Sequence, residues 1–137
     1  MTLDPETLNP ETLNKVTWKI PNALALVGSA SGEEWNGMTA SWITQLSMEP
    51  VLIGVGIDNK AVTHRLISEG GSFTVNLWSS DDTRPFVKFS KPAEREGSTL
   101  NGRPVTPGAV HNMPTLAGKP AMASSVPAPA ASRAGMP

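Results

Sequence analysis

The sequence predicts a mainly β protein, an antiparallel barrel that carries short helices. Strand-length runs, apolar or alternating, recur at Ala23 to Ser29, Met38 to about Ser47, Val51 to Ile57 and Ser72 to Trp78. Between the last two falls a short helical pattern, Ala61 to Glu69, too little helix for a parallel sheet in which strands and crossover helices alternate. Turn residues, Asn36-Gly37, Pro50 and Gly70-Gly71, punctuate the runs.

The chain opens on Pro5-Glu6-Thr7-Leu8-Asn9 and its tandem copy Pro10-Glu11-Thr12-Leu13-Asn14. A duplication this short is a local insertion, since solenoid repeats run to ~20 residues or more. It leads into a helix, with Pro10 in the first turn and Glu11 near the positive end of the dipole. Leu13, Val16 and Ile20 supply the apolar spacing, and Pro21 ends the segment. Residues 1–21 form this helical lead-in.

Ala23 to Ser29 reads as the first strand, and Ser31 to Gly37 as a polar loop whose Asn36-Gly37 is a turn signal. The strand from Met38 then alternates. Met38, Ala40 and Trp42 fall on one face, Thr39, Ser41 and Ile43 on the other. No charge occurs between Asn36 and Met48. Short, uncharged hydrogen-bonding groups on a strand suit a polyhydroxyl chain or a phosphate in a semi-buried site. Taken alone, Thr39 and Ser41 read better as the polar outward residues of an edge strand, and Trp42 as a core anchor.

Val51 to Ile57 is a continuous apolar run of buried-strand length, and its two glycines suit close approach by a backbone or a flat ligand. Asp58-Asn59-Lys60 supplies a turn and a cap for the helix, in which Val62 and Leu66 stack at i, i+4. That helix amino terminus offers free N–H groups and partial positive charge, and Lys60 adds a point charge beside it. Taken singly, Lys60 is a solvated loop residue and His64 an exposed helix histidine. In the following strand Phe73, Val75 and Leu77 alternate with Thr74, Asn76 and Trp78.

At 137 residues one domain is expected. The formal net charge is −1 and no basic stripe occurs, which argues against nucleic acid as a partner. No apolar run approaches the ~18 residues of a membrane span. The acidic Met1-Thr2-Leu3-Asp4 start is the opposite of a signal peptide. Absence of cysteine excludes disulfides, thiolate metal sites and cysteine nucleophiles. His64 and His111 have no His or Cys at metal-ligand spacing, and no Gly-x-Ser-x-Gly, Walker or Gly-x-Gly-x-x-Gly motif occurs. The expected setting is the cytoplasm.

From Pro104 to Pro137 there are seven prolines and eight alanines, and no aromatic residue follows Phe89. This composition predicts an irregular, disordered tail over 106–137 that cannot supply a central strand.

Taken in order, Asn36 to Thr44, Pro50, Val51 to Ile57, Lys60-Ala61-Val62-Thr63-His64 and Phe73 to Leu77 resemble the flavin reductase-like family of FMN-binding split barrels. The likeness continues through Phe89-Ser90-Lys91-Pro92 and Leu100 to Val105, and covers roughly residues 15 to 105, with 22–105 as the partial barrel domain. The resemblance implies a six-stranded antiparallel split β-barrel, a homodimer with FMN near the subunit interface. It also implies an NAD(P)H-dependent flavin reductase or a flavoredoxin-like electron carrier, with NAD(P)H a transient reductant; some members serve two-component monooxygenases. Carried over residue by residue, Thr39, Ala40, Ser41, Trp42 and Thr44 would line the flavin through backbone amides and hydroxyls. Lys60, Thr63 and His64 would hold the FMN phosphate, with Asn76 and Lys91 as further candidates.

After Val105 the sequence departs from the family, whose further strands close the barrel. The switch in composition resembles a truncated gene or a shifted reading frame, so a barrel incomplete at the C-terminus is expected. A flavin-binding module without turnover, or a non-functional fragment, are the alternatives.

Overall fold

The computed structural model describes residues 9–78 and 81–107, and the backbone of 114–116 and 120–127. At its centre lie β1 (Ala25–Ser31) and β5 (Ser72–Trp78), adjacent strands of a four-stranded antiparallel sheet. The sheet is flanked by β2 (Glu34–Ala40) and β10 (Pro120–Pro127), in the order β10-β5-β1-β2. β1 is buried on both faces, and period-two alternation sends its side chains into two separate cores. Ala25 and Val27 join Ala40, Phe73 and Val75 on one side. Leu26 joins Phe89, Leu100 and Val105 on the other.

Ahead of the sheet runs α1 (Pro10–Thr17), capped by Asn9, whose side chain accepts the Glu11 N–H at 3.0 Å. Its expected apolar residues have no cover: Leu13, Val16 and Ile20 are all exposed. The β1–β2 hairpin turns at Gly32, with φ +57°, and not at Asn36-Gly37. Those two residues lie inside β2, where Gly37 serves a steric purpose instead. A Cβ there would meet the Phe89 ring at 2.8 Å.

The strand expected from Met38 to Ser47 is two strands. β2 ends at Ala40, and β3 (Ile43–Met48) pairs with β4 (Val51–Val55) in a separate two-stranded sheet. The break at Ser41-Trp42 cancels the alternation, so Trp42 is 69% exposed while Ala40 is buried. The β4 run is likewise not a buried strand: Val51 and Leu52, which alternate to opposite faces, are both exposed at its start, and Ile53 to Val55 are half-buried. Its glycines do admit close neighbours, Leu46 against Gly54 and Trp42 against Gly56.

Helix α2 (Val62–Gly70) packs on β1 and β2 through buried Thr63 and Leu66, and ends at Gly71 in the left-handed region (φ +73°). Helix α3 (Arg84–Lys88) leads through Phe89 to β6 (Arg95–Glu96), β7 (Thr99–Leu100), β8 (Arg103–Pro107) and β9 (Pro114–Leu116), a second four-stranded sheet.

The segment read as an irregular tail from 106 therefore contains β9 and β10. Composition misled because proline disrupts only a central strand. β10 is an edge strand, with its prolines at the first and last positions, where a missing N–H costs no ladder bond on the solvent side. The rest of that tail, with His111, and residues 1–8 of the tandem repeat lie outside the described residues.

Candidate functional site

Strand β2 and helix α2 meet along a line of paired side chains. Glu34 and Arg65 form a salt bridge of 2.6 Å at the outer end. Deeper in, the buried Asn36 amide donates to Thr63 Oγ1 at 2.9 Å, and its Oδ1 accepts the Ala93 N–H at 2.7 Å. Further along β2, the Thr39 N–H donates to Phe89 O at 2.8 Å and its hydroxyl to Phe86 O at 2.6 Å. One strand thus holds the first turn of α2 on one side and the 86–93 segment on the other.

Between these two lies a cleft of about 240 Å³, lined by Asn36, Gly37 and Met38 of β2, Ala61 to Thr63 of α2, and Ser90-Lys91-Pro92. The N-cap of α2 is Ala61, which makes no side-chain cap. The first amides of the helix therefore have no side-chain cap, a condition in which a helix amino terminus favours an anion. Asp58 shapes the approach: its side chain accepts the Lys60 N–H at 2.8 Å and its carbonyl the Ala61 N–H at 2.9 Å.

The expected site residues separate into distinct places. Thr63 lines this cleft together with Lys91. Lys60 is exposed just before the N-cap, and His64 is half-buried in the first turn. Ser41 and Trp42 line a larger cleft, about 660 Å³, whose opposite wall is Asn14, Thr17 and Trp18 with Ile20 and Asn22. Thr44 borders a third, mostly apolar cleft beneath the hairpin with Ile43, Ile53 and Leu77. Ala40 is buried among apolar neighbours.

Thr39 and Asn76 differ from expectation. Both donors of Thr39 are spent on the 86–89 segment. Asn76 is fully buried and donates to Leu26 O at 2.9 Å, so it ties β5 to β1. Two contributors carried no strong signal in the sequence: Asn36, masked by its turn-like Asn-Gly pairing, and Trp18, whose role needs α1 to meet the Ser41 kink. Among the described residues no cluster of His, Cys, Asp and Glu is arranged to hold a metal ion. No described helix is long and apolar enough to cross a membrane.

Comparison with known proteins agrees with this architecture. The flavin reductase like domain matches residues 18–126, so the family pattern runs past Val105 and through most of β10. The NADPH-flavin oxidoreductase of Streptomyces viridifaciens is 29% identical over 82 residues, 60% of this chain and 42% of that protein. An FMN-binding protein from Thermus thermophilus, solved with bound 1-cyclohex-2-enone, superposes with a TM-score of 0.69 at 23% identity, covering 93% of this chain and 67% of that one. The NADH:FAD oxidoreductase of Streptomyces globisporus C-1027, solved with NAD and FAD fragments, gives a TM-score of 0.65 at 22% identity, covering 86% and 68%. The chain spans under half the length of the curated relatives it matches. With antiparallel sheets, short helices and a domain match over most of its length, the chain is a split β-barrel and belongs to the flavin reductase-like family.

Proposed function

We propose that this chain binds FMN and works in the cytoplasm as an NAD(P)H-dependent flavin reductase or a flavoredoxin-like electron carrier. The observation that carries the choice of FMN is the uncapped amino terminus of α2 facing Lys91 across a narrow cleft. A ligand ending in a phosphate monoester gains there what riboflavin, with a neutral hydroxyl, does not. At about 240 Å³ the cleft suits one end of a ligand, since whole small-molecule sites run to roughly 300–1,000 Å³. The 660 Å³ cleft between α1 and the Ser41 kink falls inside that range and is walled by two tryptophans, Trp18 and Trp42. Their ring faces suit a flat aromatic system, and Ser41, Asn14 and Asn22 offer polar partners to its edge.

When bound, flavin would supply the redox chemistry of hydride and electron transfer. What this chain's residues contribute is placement. The α2 amides, Thr63 and Lys91 fix the anionic end, with Lys60 and His64 at its rim. Ser41 and Trp42 would border a flavin ring held in the larger cleft, whereas Thr44 lines the separate apolar cleft beneath the hairpin.

The same reading includes a homodimer. The β3–β4 hairpin leaves Leu46, Met48, Val51 and Leu52 exposed, and α1 adds Leu13, Val16 and Trp18. These exposed apolar side chains are the surface that such an interface would cover.

Visible absorbance of the purified protein, taken after FMN is added and the excess removed, tests the assignment. A retained flavin spectrum with NADH or NADPH oxidation is the expected result. Retained flavin without oxidation of either nucleotide would identify a binding module. A colourless protein would overturn the proposal.

A further inference from the structure

We infer that Asn36 is the positioning residue of the anion cleft, acting through Thr63, a role that rests on the phosphate reading given above. The Ala93 N–H can only donate, so the oxygen of the Asn36 amide must face it, and the bond is 2.7 Å long. That fixes the orientation of the amide. Its NH₂ group must then face Thr63, and Nδ2 donates to Thr63 Oγ1 at 2.9 Å. The hydroxyl oxygen of Thr63 is an acceptor in this bond, the only hydrogen bond it makes among the described residues. Its proton is consequently directed away from Asn36. The bond occupies one lone pair of Thr63 Oγ1 and leaves its proton available to a phosphate oxygen that enters beside the helix amides and Lys91.

Asn36 also sets the width of the cleft. Its two partners stand on opposite walls, Thr63 in the first turn of α2 and Ala93 just beyond Ser90-Lys91-Pro92. The amide is buried at 3% exposure, so water does not compete for either bond. Removing it loosens both walls and frees Thr63 to turn its hydroxyl. Nothing in this chain of contacts involves the Trp42 cleft, so the effect is confined to ligands that carry the phosphate.

The test is a double-mutant cycle on the full chain, with Asn36→Ala, Thr63→Val and the double variant titrated with FMN and with riboflavin. Asn36→Ala is expected to lower FMN affinity about tenfold with riboflavin affinity unchanged. Added to Thr63→Val it is expected to cost less than it does alone, because the part carried by Thr63 is already lost and only the Ala93 wall is left to loosen. An unchanged FMN-to-riboflavin ratio in folded Asn36→Ala, equal loss of both ligands, or additive losses in the double variant would each overturn the role of Asn36 and leave the phosphate reading standing. A wild-type protein that binds FMN no better than riboflavin would instead remove the phosphate reading, and this role with it. Should Asn36→Ala lose its native circular dichroism, Asn36→Gln serves in its place. It keeps the amide but displaces it by one methylene, and the same ratio decides.

Discussion

Lys60 and Lys91 reach the first turn of α2 from separate parts of the chain, one from the preceding loop and one from the turn after Phe89. Both are exposed, so in the proposed phosphate site each would act as a screened point charge worth roughly 0.2–1 kcal/mol. Lys91→Ala is expected to weaken FMN about fivefold and Lys60→Ala less, with riboflavin unaffected in both. Isothermal titration at low and high salt checks this, and equal loss for both ligands would refute the phosphate role. Asp82 has a different effect. The Arg84 side chain donates to it at 2.7 Å, the Arg84 N–H adds a second bond, and Arg103 lies at 3.5 Å. Together these hold its carboxyl down to about 2 from an ordinary 3.8. A carboxylate lowered in the folded state adds stability that is fully present above pH 3.8 and disappears as pH falls through about 2. Asp82→Asn should therefore flatten the acid limb of the stability curve in that window and leave its shape near neutrality unchanged. An acid limb identical to wild type would remove the assigned bonds.

Glycines separate two kinds of packing within the elements. At Gly37 an added Cβ would lie 2.8 and 2.9 Å from the ring of Phe89, which is fully buried and cannot retreat. Gly37→Ala is expected to cost about 1–3 kcal/mol, read as a drop in denaturation midpoint. At Gly54 the neighbour is Leu46 Cδ1 at 2.9 Å, but Leu46 is 67% exposed and can swing away. Gly54→Ala should stay within ~0.5 kcal/mol of wild type. This contrast also marks what the sequence discloses. β1, α2 and β5 were legible because their periodicity is local: Phe73, Val75 and Leu77 alternate, and Val62 and Leu66 stack. Gly37 was read as turn chemistry because its reason, the Phe89 ring, comes from far along the chain. The break at Ser41 was hidden because alternation on both sides of it looks continuous. Of the site, the turn before α2 was legible from Asp58-Asn59-Lys60, but these residues do not cap the helix, whose N-cap is Ala61. The bond from Asn36 to Thr63 and the arrival of Lys91 depend on tertiary contacts that no local pattern records.

For the whole molecule, one surface bears on the proposed homodimer and another on aggregation. Leu46→Lys combined with Met48→Lys puts charge on the exposed hairpin and is expected to shift the protein from dimer to monomer in sedimentation velocity. A wild-type monomer would remove the proposed partner. The other surface is the edge of β5 that β10 covers, from Ser72 paired with Pro127 to Trp78 paired with Pro120. Ending the chain after residue 119 strips that edge bare, and the shortened protein is expected to aggregate.

The same pairing has a consequence in time. The β1–β2 hairpin closes across a two-residue turn and is of the kind that forms in roughly 1–10 μs. β5 must wait, because its outer neighbour is the strand most distant from it in sequence. Until β10 arrives, every nascent or refolding molecule offers a bare, apolar strand to its neighbours, and capture by another copy competes with closure. Yield on refolding should therefore fall with protein concentration far more steeply than stability does, and slow, dilute renaturation should recover material that rapid, concentrated renaturation loses.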